Sequence, residues 1–228
     1  MVRRDDMRER IIAAAADLLG TEGQEAVTTR SVSAAAGVQP PAIYRLFGDM
    51  QGLLDTVAAD GFARYLAEKK DRPPSADPID DLRAGWDLHV EFGLRHPAHY
   101  RLMYQQHGAH EAARQAQEIL RGILRRAAAA GWLRVPVERA ARMVHAGSMG
   151  VTLALISLPP GERDLTVSAA LRESVLAALT VNEPGVSERD PVRHAVALRT
   201  LLGEMEGGFT PGERALLGEL LDRFGEPA

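Results

Sequence analysis

The 228-residue sequence contains no cysteine. That excludes a disulfide scaffold, a thiolate zinc site and a cysteine nucleophile. Lysine is nearly absent as well. Lys69 and Lys70 are the only two, and arginine supplies every other basic side chain apart from histidine. This skew reflects GC-rich coding DNA rather than a function. Aromatic residues make up 5% of the chain, against 46% hydrophobic and 25% charged, which are the proportions of an ordinary globular protein. At roughly 150 residues per domain, one or two domains fit, with ample chain to bury a core. The net charge of −4 argues against non-specific coating of anionic polymers, while leaving room for a small DNA-binding face.

Apolar leaders and spans are missing too. The N-terminus, MVRRDDMRER, has acids where a secretory signal needs an apolar run, so a cytoplasmic location and no membrane partner are expected. No residue between Arg142 and Glu162 carries a formal charge. A helix from Met143 to Leu158 nevertheless reaches only about 24 Å at 1.5 Å per residue, short of the roughly 30 Å of hydrocarbon. A buried helix is expected there. Catalytic signatures are missing: no G-x-S-x-G, no H-E-x-x-H and no phosphate loop. Ser148 lies between glycines, but without a strand-turn-helix setting it is no nucleophile elbow. Neither an enzyme nor a cofactor is expected. Five of seven histidines fall within 89–110, with His96/His99 and His107/His110 at i, i+3 spacing. With no cysteine and only Glu91 and Glu111 close by, hydrogen bonding explains them better than a metal.

What the chain does have is helical periodicity almost throughout. Ile11, Ile12, Ala15, Leu18 and Leu19 share one helix face. Thr28 is an N-cap for a short helix to Ala36, and Gly37 stops it. Pro40 opens the next helix, to about Phe47. A longer helix follows over about 49–69, with Leu54, Ala58, Phe62, Tyr65 and Leu66 on one side. The three prolines of 71–78 make a linker. Further helices are predicted at about 79–95, 97–107, 111–130, 137–158, 164–181, 190–206 and 211–224. The last opens on a capping box at Thr210-Pro-Gly-Glu213. The fold class is therefore all-α. Its expected division is residues 1–70, then 71–181, then a C-terminal helical extension at 182–228.

Short helices, a glycine turn and a long helix make the layout of a helix-turn-helix DNA reader, although a plain three-helix bundle has the same spacing. Val32, Ala35, Ala36, Val38, Ile43 and Phe47 are expected to pack inward. Gln39, Ala42, Tyr44 and Arg45 are then left outside. From Ala26 to Gly48 there are two arginines, Arg30 and Arg45, and no acid, whereas residues 1–50 carry six bases against seven acids. Only the contact strip is basic, so the phosphate contribution should be modest.

Residues 11–54 resemble the DNA-binding domain of the tetracycline-repressor (TetR) family of bacterial regulators. Ile12, Ala13, Ala14, Ala15, Leu18, Thr28, Val32, Ala35, Gly37, Val38, Ile43, Tyr44, Phe47, Leu53 and Leu54 carry the likeness. The resemblance implies that the helix from Pro40 enters the major groove. It also implies that Thr28, Tyr44 and the start of the fourth helix touch phosphates. The DNA-contact set is then Thr28, Thr29, Arg30, Gln39, Pro40, Ala42, Tyr44 and Arg45. Two departures stand out. Met50 occupies a common lysine position and cannot meet a phosphate. Gln39 and Pro41 replace smaller residues, and Gln39 can read adenine.

Beyond the linker, His96-Pro97-Ala-His-Tyr100-Arg-Leu-Met103 is similar to a helix junction beside the ligand cavity of such regulators. The resemblance implies a small-molecule site and a homodimer. Trp86, His89, Phe92, Met103, Tyr104, His107 and Trp132 are candidate lining residues, although each is equally a candidate for core. No cluster of bases converges on them, so a neutral or cationic apolar ligand is expected. The helices at 137–158 and 164–181, with their uncharged face, match the family's dimer bundle. The expected function is a ligand-responsive regulator, a repressor released from its operator by a small hydrophobic molecule. The open alternative is a helical small-molecule binding protein with weak or vestigial DNA binding, which Met50 and the weak basicity favour.

Overall fold

The computed structural model describes residues 4–71, 73–105, 111–181, 191–205 and 207–224. Among these the chain is all-α. The helices are α1 (Arg4–Glu22), α2 (Thr29–Ala36), α3 (Pro40–Phe47), α4 (Met50–Lys70), α5 (Pro78–Arg95), α6 (Pro97–Gln105), α7 (Glu111–Ala129), α8 (Val137–Ile156), α9 (Leu165–Leu179), α10 (Pro191–Glu204) and α11 (Pro211–Phe224). Among the described residues, no helix is long and apolar enough to cross a membrane.

Local chemistry fixes the helix ends. Thr28 caps α2: its hydroxyl accepts from Ser31 N at 3.2 Å, while Thr28 N donates back to Ser31 Oγ at 3.0 Å. Gly37 ends α2 at φ 62°, a left-handed conformation that a side chain disfavours. Asp49 caps α4 through Gly52 N at 2.7 Å. The expected box before α11 forms, with Thr210 N donating to Glu213 Oε2 at 2.8 Å and Glu213 N donating to Thr210 Oγ1 at 3.3 Å.

The chain forms two compact units. One comprises Met1–Arg72 and Glu91–Ala116, the other Pro73–Val90 and Gln117–Ala228. The proline linker falls at one boundary, and the other two boundaries fall within α5 and α7. In the first unit, Ile11, Ala15, Leu19, Val32, Ile43, Leu53 and Val57 form a buried core. Leu102 of α6 joins it, fully buried. Helix α6 thus packs on α1 and α4.

In the second unit α8 lies against α9. Trp86 of α5 is buried there and donates its indole N–H to Ser168 Oγ of α9 at 3.0 Å. The chain after α7 returns alongside the end of α9, through an isolated bridge between Leu133 and Thr180. Val151 and Leu155 of α8 are buried within their own unit, so they do not form an outer interface. The exposed side of α8 instead carries Ala146, Gly150 and Ala154.

Gly147 is the tightest approach in this unit. A Cβ there would stand 2.8 Å from Trp86 Cη2 and 3.4 Å from Val175 Cγ2. Trp86 cannot retreat without leaving Ser168. Gly147→Ala is therefore expected to cost about 1–3 kcal/mol by overpacking. At about 2–4 °C per kcal/mol for a chain of this size, the melting temperature should fall measurably in calorimetry. An unchanged melting temperature would show that the indole can move freely.

Candidate DNA interface

The acid-free strip from Ala26 to Gly48 folds as α2, the Gly37 turn and α3. Arg10 of α1 anchors the turn by donating to Ala36 O and, at 3.4 Å, to Gly37 O. These carbonyls end α2 and have no helical partner of their own. Arg8 lies over the Phe47 ring, its guanidinium carbon 5.5 Å from the centroid. Two basic side chains of α1 are thus used to hold the motif together.

Tyr44 projects from α3 with 51% of its surface exposed, and its hydroxyl lies 3.3 Å from Thr29 Oγ1 at the start of α2. Arg30 and Arg45 are exposed. Thr28 is exposed but spends its hydroxyl on the cap. Gln39 is the N-cap residue of α3, exposed, and makes no side-chain cap bond. Pro40 and Pro41 occupy the first turn of α3, and Ala42 N already donates to Gln39 O at 2.9 Å. The amides that a helix N-terminus usually offers to a phosphate are therefore removed or used.

Two sequence expectations need correcting. Ala42 is buried, 7% exposed, beside Ile43 on the inner side of α3, so it is not on the outer face. Ala35 is exposed rather than packed inward. On so short a helix one residue turns the direction by about 100°, and alanine fits either side. Met50 is half-buried against the first unit's core, in keeping with its departure from the lysine pattern.

The expected ligand residues divide between the units. Phe92, Met103 and Tyr104 lie in the first, Trp86, His89 and Trp132 in the second, and His107 falls outside the described residues. In the first unit the side chains converge on α4. Phe92 packs on Tyr65 with ring centroids 5.2 Å apart, and Tyr104 meets Phe62 edge-on at 5.7 Å. The Tyr100 and Tyr104 rings are 4.7 Å apart. Met103 lies over Gly61, where an added Cβ would stand 3.2 Å from its sulfur. Burial raises the phenol pKa of both Tyr65 and Tyr104. The neighbouring Tyr104 and Glu68 add to it for Tyr65, and Tyr100 adds to it for Tyr104. In the second unit His89 is buried, and Trp132 is half-buried in the turn after α7.

Sequence reasoning missed two features. One is a cleft of about 270 Å³ in the second unit, bounded by Arg125, Val137, Val196, Arg199, Leu221 and Asp222. Its walls come from helices distant in sequence, so no local pattern signals it. The other is Lys69, whose ammonium donates to Ala116 O at 3.2 Å and lies 5.7 Å from the Tyr65 ring centroid. Its rarity in an arginine-rich chain was the available signal.

Comparison with known proteins agrees with this geometry. Residues 11–57 match the family model described as bacterial regulatory proteins, tetR family. Among curated proteins no sequence matches the chain. Among solved structures, SmeT, the repressor of the Stenotrophomonas maltophilia multidrug efflux pump SmeDEF, is 25% identical with a TM-score of 0.60, covering 78% of this chain and 94% of its own. PfmR, a TetR family transcriptional regulator from Thermus thermophilus, is 25% identical with a TM-score of 0.58, over 74% of this chain and 97% of its own. A Streptomyces coelicolor A3(2) structure at 23% identity and TM-score 0.57 shares the fold over 95% of this chain and 97% of its own. Residues 11–57, with the capped α2, the turn at Gly37 and α3, therefore match the DNA-binding domain of the tetR family of bacterial regulatory proteins, and the all-α fold is shared with solved regulators of that family.

Proposed function

We propose that this regulator is a homodimeric repressor that a small apolar molecule releases from its operator. The observation that carries the DNA half is the paired Tyr44 and Thr29 hydroxyls beside Arg30 and Arg45, on a surface strip without a carboxylate. Arg45 and Gln39 are the base-reading candidates, with Thr29, Tyr44 and Arg30 at the phosphates. Pro40 shapes the first turn of α3. The ligand half rests on the aromatic layer against α4, formed by Phe92, Met103 and Tyr104. Because α4 also supplies Leu53, Leu54 and Val57 to the helix-turn-helix core, a ligand that shifts its far end shifts the reading helix as well. Ligand and DNA then oppose each other reciprocally.

The dimer is supported by the apolar surface of the second unit. Leu165 and Val167 of α9 are 55% and 52% exposed, and Ala146, Gly150 and Ala154 form an exposed row on α8. At Gly150 an added Cβ would meet nothing within 4 Å, which leaves space for a partner helix. A two-fold pairing of α8 and α9 would cover both faces.

Three outcomes are expected. Arg45→Ala should weaken operator binding by on the order of 1–3 kcal/mol if it grips a guanine. Tyr44→Phe should lose about 0.5–1.5 kcal/mol with the hydroxyl. Both variants should melt like the parent. Gel-shift titration at matched salt decides, and unchanged affinity in both removes the assignment.

The salt dependence should be shallow. Two to four phosphate contacts per subunit give a slope of log K against log salt of roughly −4 to −7. A far steeper slope would move the binding to bases outside the strip.

Gly150→Glu and Ala154→Glu should dissociate the dimer. Each would bury an unpaired carboxylate at about 3–5 kcal/mol. Because both positions face outward, the subunit fold should survive. Sedimentation of the parent as a monomer at micromolar concentration would contradict the dimer directly.

A further inference from the structure

Among the described residues, the cation of Lys69 lacks a counter-charge. Lys69 is half-buried at the end of α4. Its hydrogen bond goes to a backbone carbonyl, Ala116 O, and its other neighbour is the Tyr65 ring. Desolvated charges in proteins are normally paired with opposite charge. Among the described residues no carboxylate pairs with Lys69: Asp71, the exposed C-cap of α4, makes no ion pair with it. On α4 the adjacent Glu68 is taken by Arg95 of α5 at 2.8 Å. On α7, Glu111 accepts from Arg114 and from Gln115 Nε2 at 2.9 Å. The segment between, from Phe92 to His110, contains no acid at all. Lys70 does not share the burden, since it donates to Gln115 Oε1 at 3.0 Å.

The other charges nearby are paired, Arg95 with Glu68 and Arg64 with Asp60, and the histidines and phenols are neutral. Burial holds His96 below its ordinary pKa, with Arg95 adding to the effect. Burial does the same to His99, helped by His96 and Arg64. The Tyr65 and Tyr104 phenols are held protonated. Around them stand the rings of Phe62, Phe92 and Tyr100. One unmatched positive charge beside an aromatic layer is complementary to one negative charge on an apolar body. A second negative charge would have no partner there.

We propose that Lys69 anchors the effector, and that the effector is an apolar molecule bearing a single carboxylate. This rests on the ligand-release reading above, and it replaces the neutral or cationic ligand expected from the sequence with a monoanion. The carboxylate takes the N–H groups of Lys69 not used by Ala116 O, and the apolar body lies among Tyr65, Phe92 and Tyr104. Lys69 links α4 to the start of α7, so its occupancy bears on the helix that carries the DNA-reading motif.

The test uses two probes of one shape, 4-phenylbutyrate and 4-phenylbutan-1-ol, with the full-length protein and its Lys69→Met, Lys69→Arg and Lys70→Met variants. Calorimetric titration and thermal shift read binding, and a separate gel shift reads DNA release. The butyrate should bind the parent and Lys70→Met saturably. It should bind Lys69→Met at least tenfold more weakly, with Lys69→Arg in between. The alcohol should not distinguish the variants.

Burial lowers the Lys69 pKa to about 8, so the free ammonium is mostly protonated at pH 7 and mostly neutral at pH 9. The probe stays ionised throughout that range. Affinity should therefore fall about tenfold from pH 7 to pH 9 in the parent, with proton uptake on binding near pH 8, and stay flat in Lys69→Met. Equal affinity for Lys69→Met, a flat pH profile in the parent, or no saturable binding of the butyrate overturns the proposal. Binding through Lys69 without release of DNA keeps the anchor and sinks the ligand-release reading instead.

Discussion

One buried face of one helix carries the first unit. Along α4, Leu53, Leu54, Val57 and Ala58 close the core of the helix-turn-helix motif, and one to two turns later Phe62 and Tyr65 are buried in the aromatic layer. A helix is stiff along its own axis, because each turn is tied to the next by backbone hydrogen bonds. The two clusters therefore cannot relax independently. Leu102 makes the link tighter still, since it comes from α6 and is buried with the motif's own residues. A close-packed core responds to displacement by switching between discrete arrangements rather than by yielding continuously. That is the physical condition that a regulator of this kind needs.

Arginine and lysine divide the electrostatic work. Many arginines sit in exposed pairs with carboxylates, such as Arg83 with Glu173 at 3.1 Å and Arg126 with Asp81 at 2.8 Å. Such pairs contribute little stability individually. Their effect on function is to remove charge from much of the surface, so that the strip with Arg30 and Arg45 and no acid stands out. Arg10 works differently, because its Nη2 donates to two carbonyls at the end of α2 and so ties α1 to the turn before α3. Where a single desolvated charge is held, by contrast, the residue is Lys69, a compact cation whose protonation responds to burial.

The sequence was most legible where local chemistry decides the outcome. The ends of α2 followed from Thr28 and Gly37, the start of α11 from Thr210 and Glu213, and the buried side of α4 from the spacing of Leu54, Ala58, Phe62, Tyr65 and Leu66. It was least legible where alanine or glycine left a direction undecided. Ala35 and Ala42 exchanged sides relative to the spacing argument, because neither has enough apolar area to fix a face. The uncharged face of the helix at 137–158 was matched to a dimer bundle, yet absence of charge marks burial without naming what does the burying, and Val151 and Leu155 are buried within their own unit. The inner side of α8 is covered by its own unit, and the small residues on the opposite side are the ones left exposed. The candidate ligand residues show the same limit. Aromatic content identified them, but only the fold could separate Phe92, Met103 and Tyr104 in one unit from Trp86, His89 and Trp132 in the other.

Two prolines limit what the backbone of α3 can offer to a phosphate. A helix entering a groove commonly offers its first free amides to a phosphate. Pro40 and Pro41 have none to offer, and Ala42 N is turned back onto Gln39 O. In exchange, proline at the first helical positions fixes φ near the helical value before any partner is met. The loss of backbone contacts is non-specific, because phosphates carry no sequence information. The gain in rigidity acts on Gln39 and Arg45, the two side chains proposed to read bases. On the proposed reading, a motif built this way would give up part of its general affinity for DNA and keep its power to discriminate. That balance suits a protein whose net charge is −4 and whose basic surface is confined to one short strip.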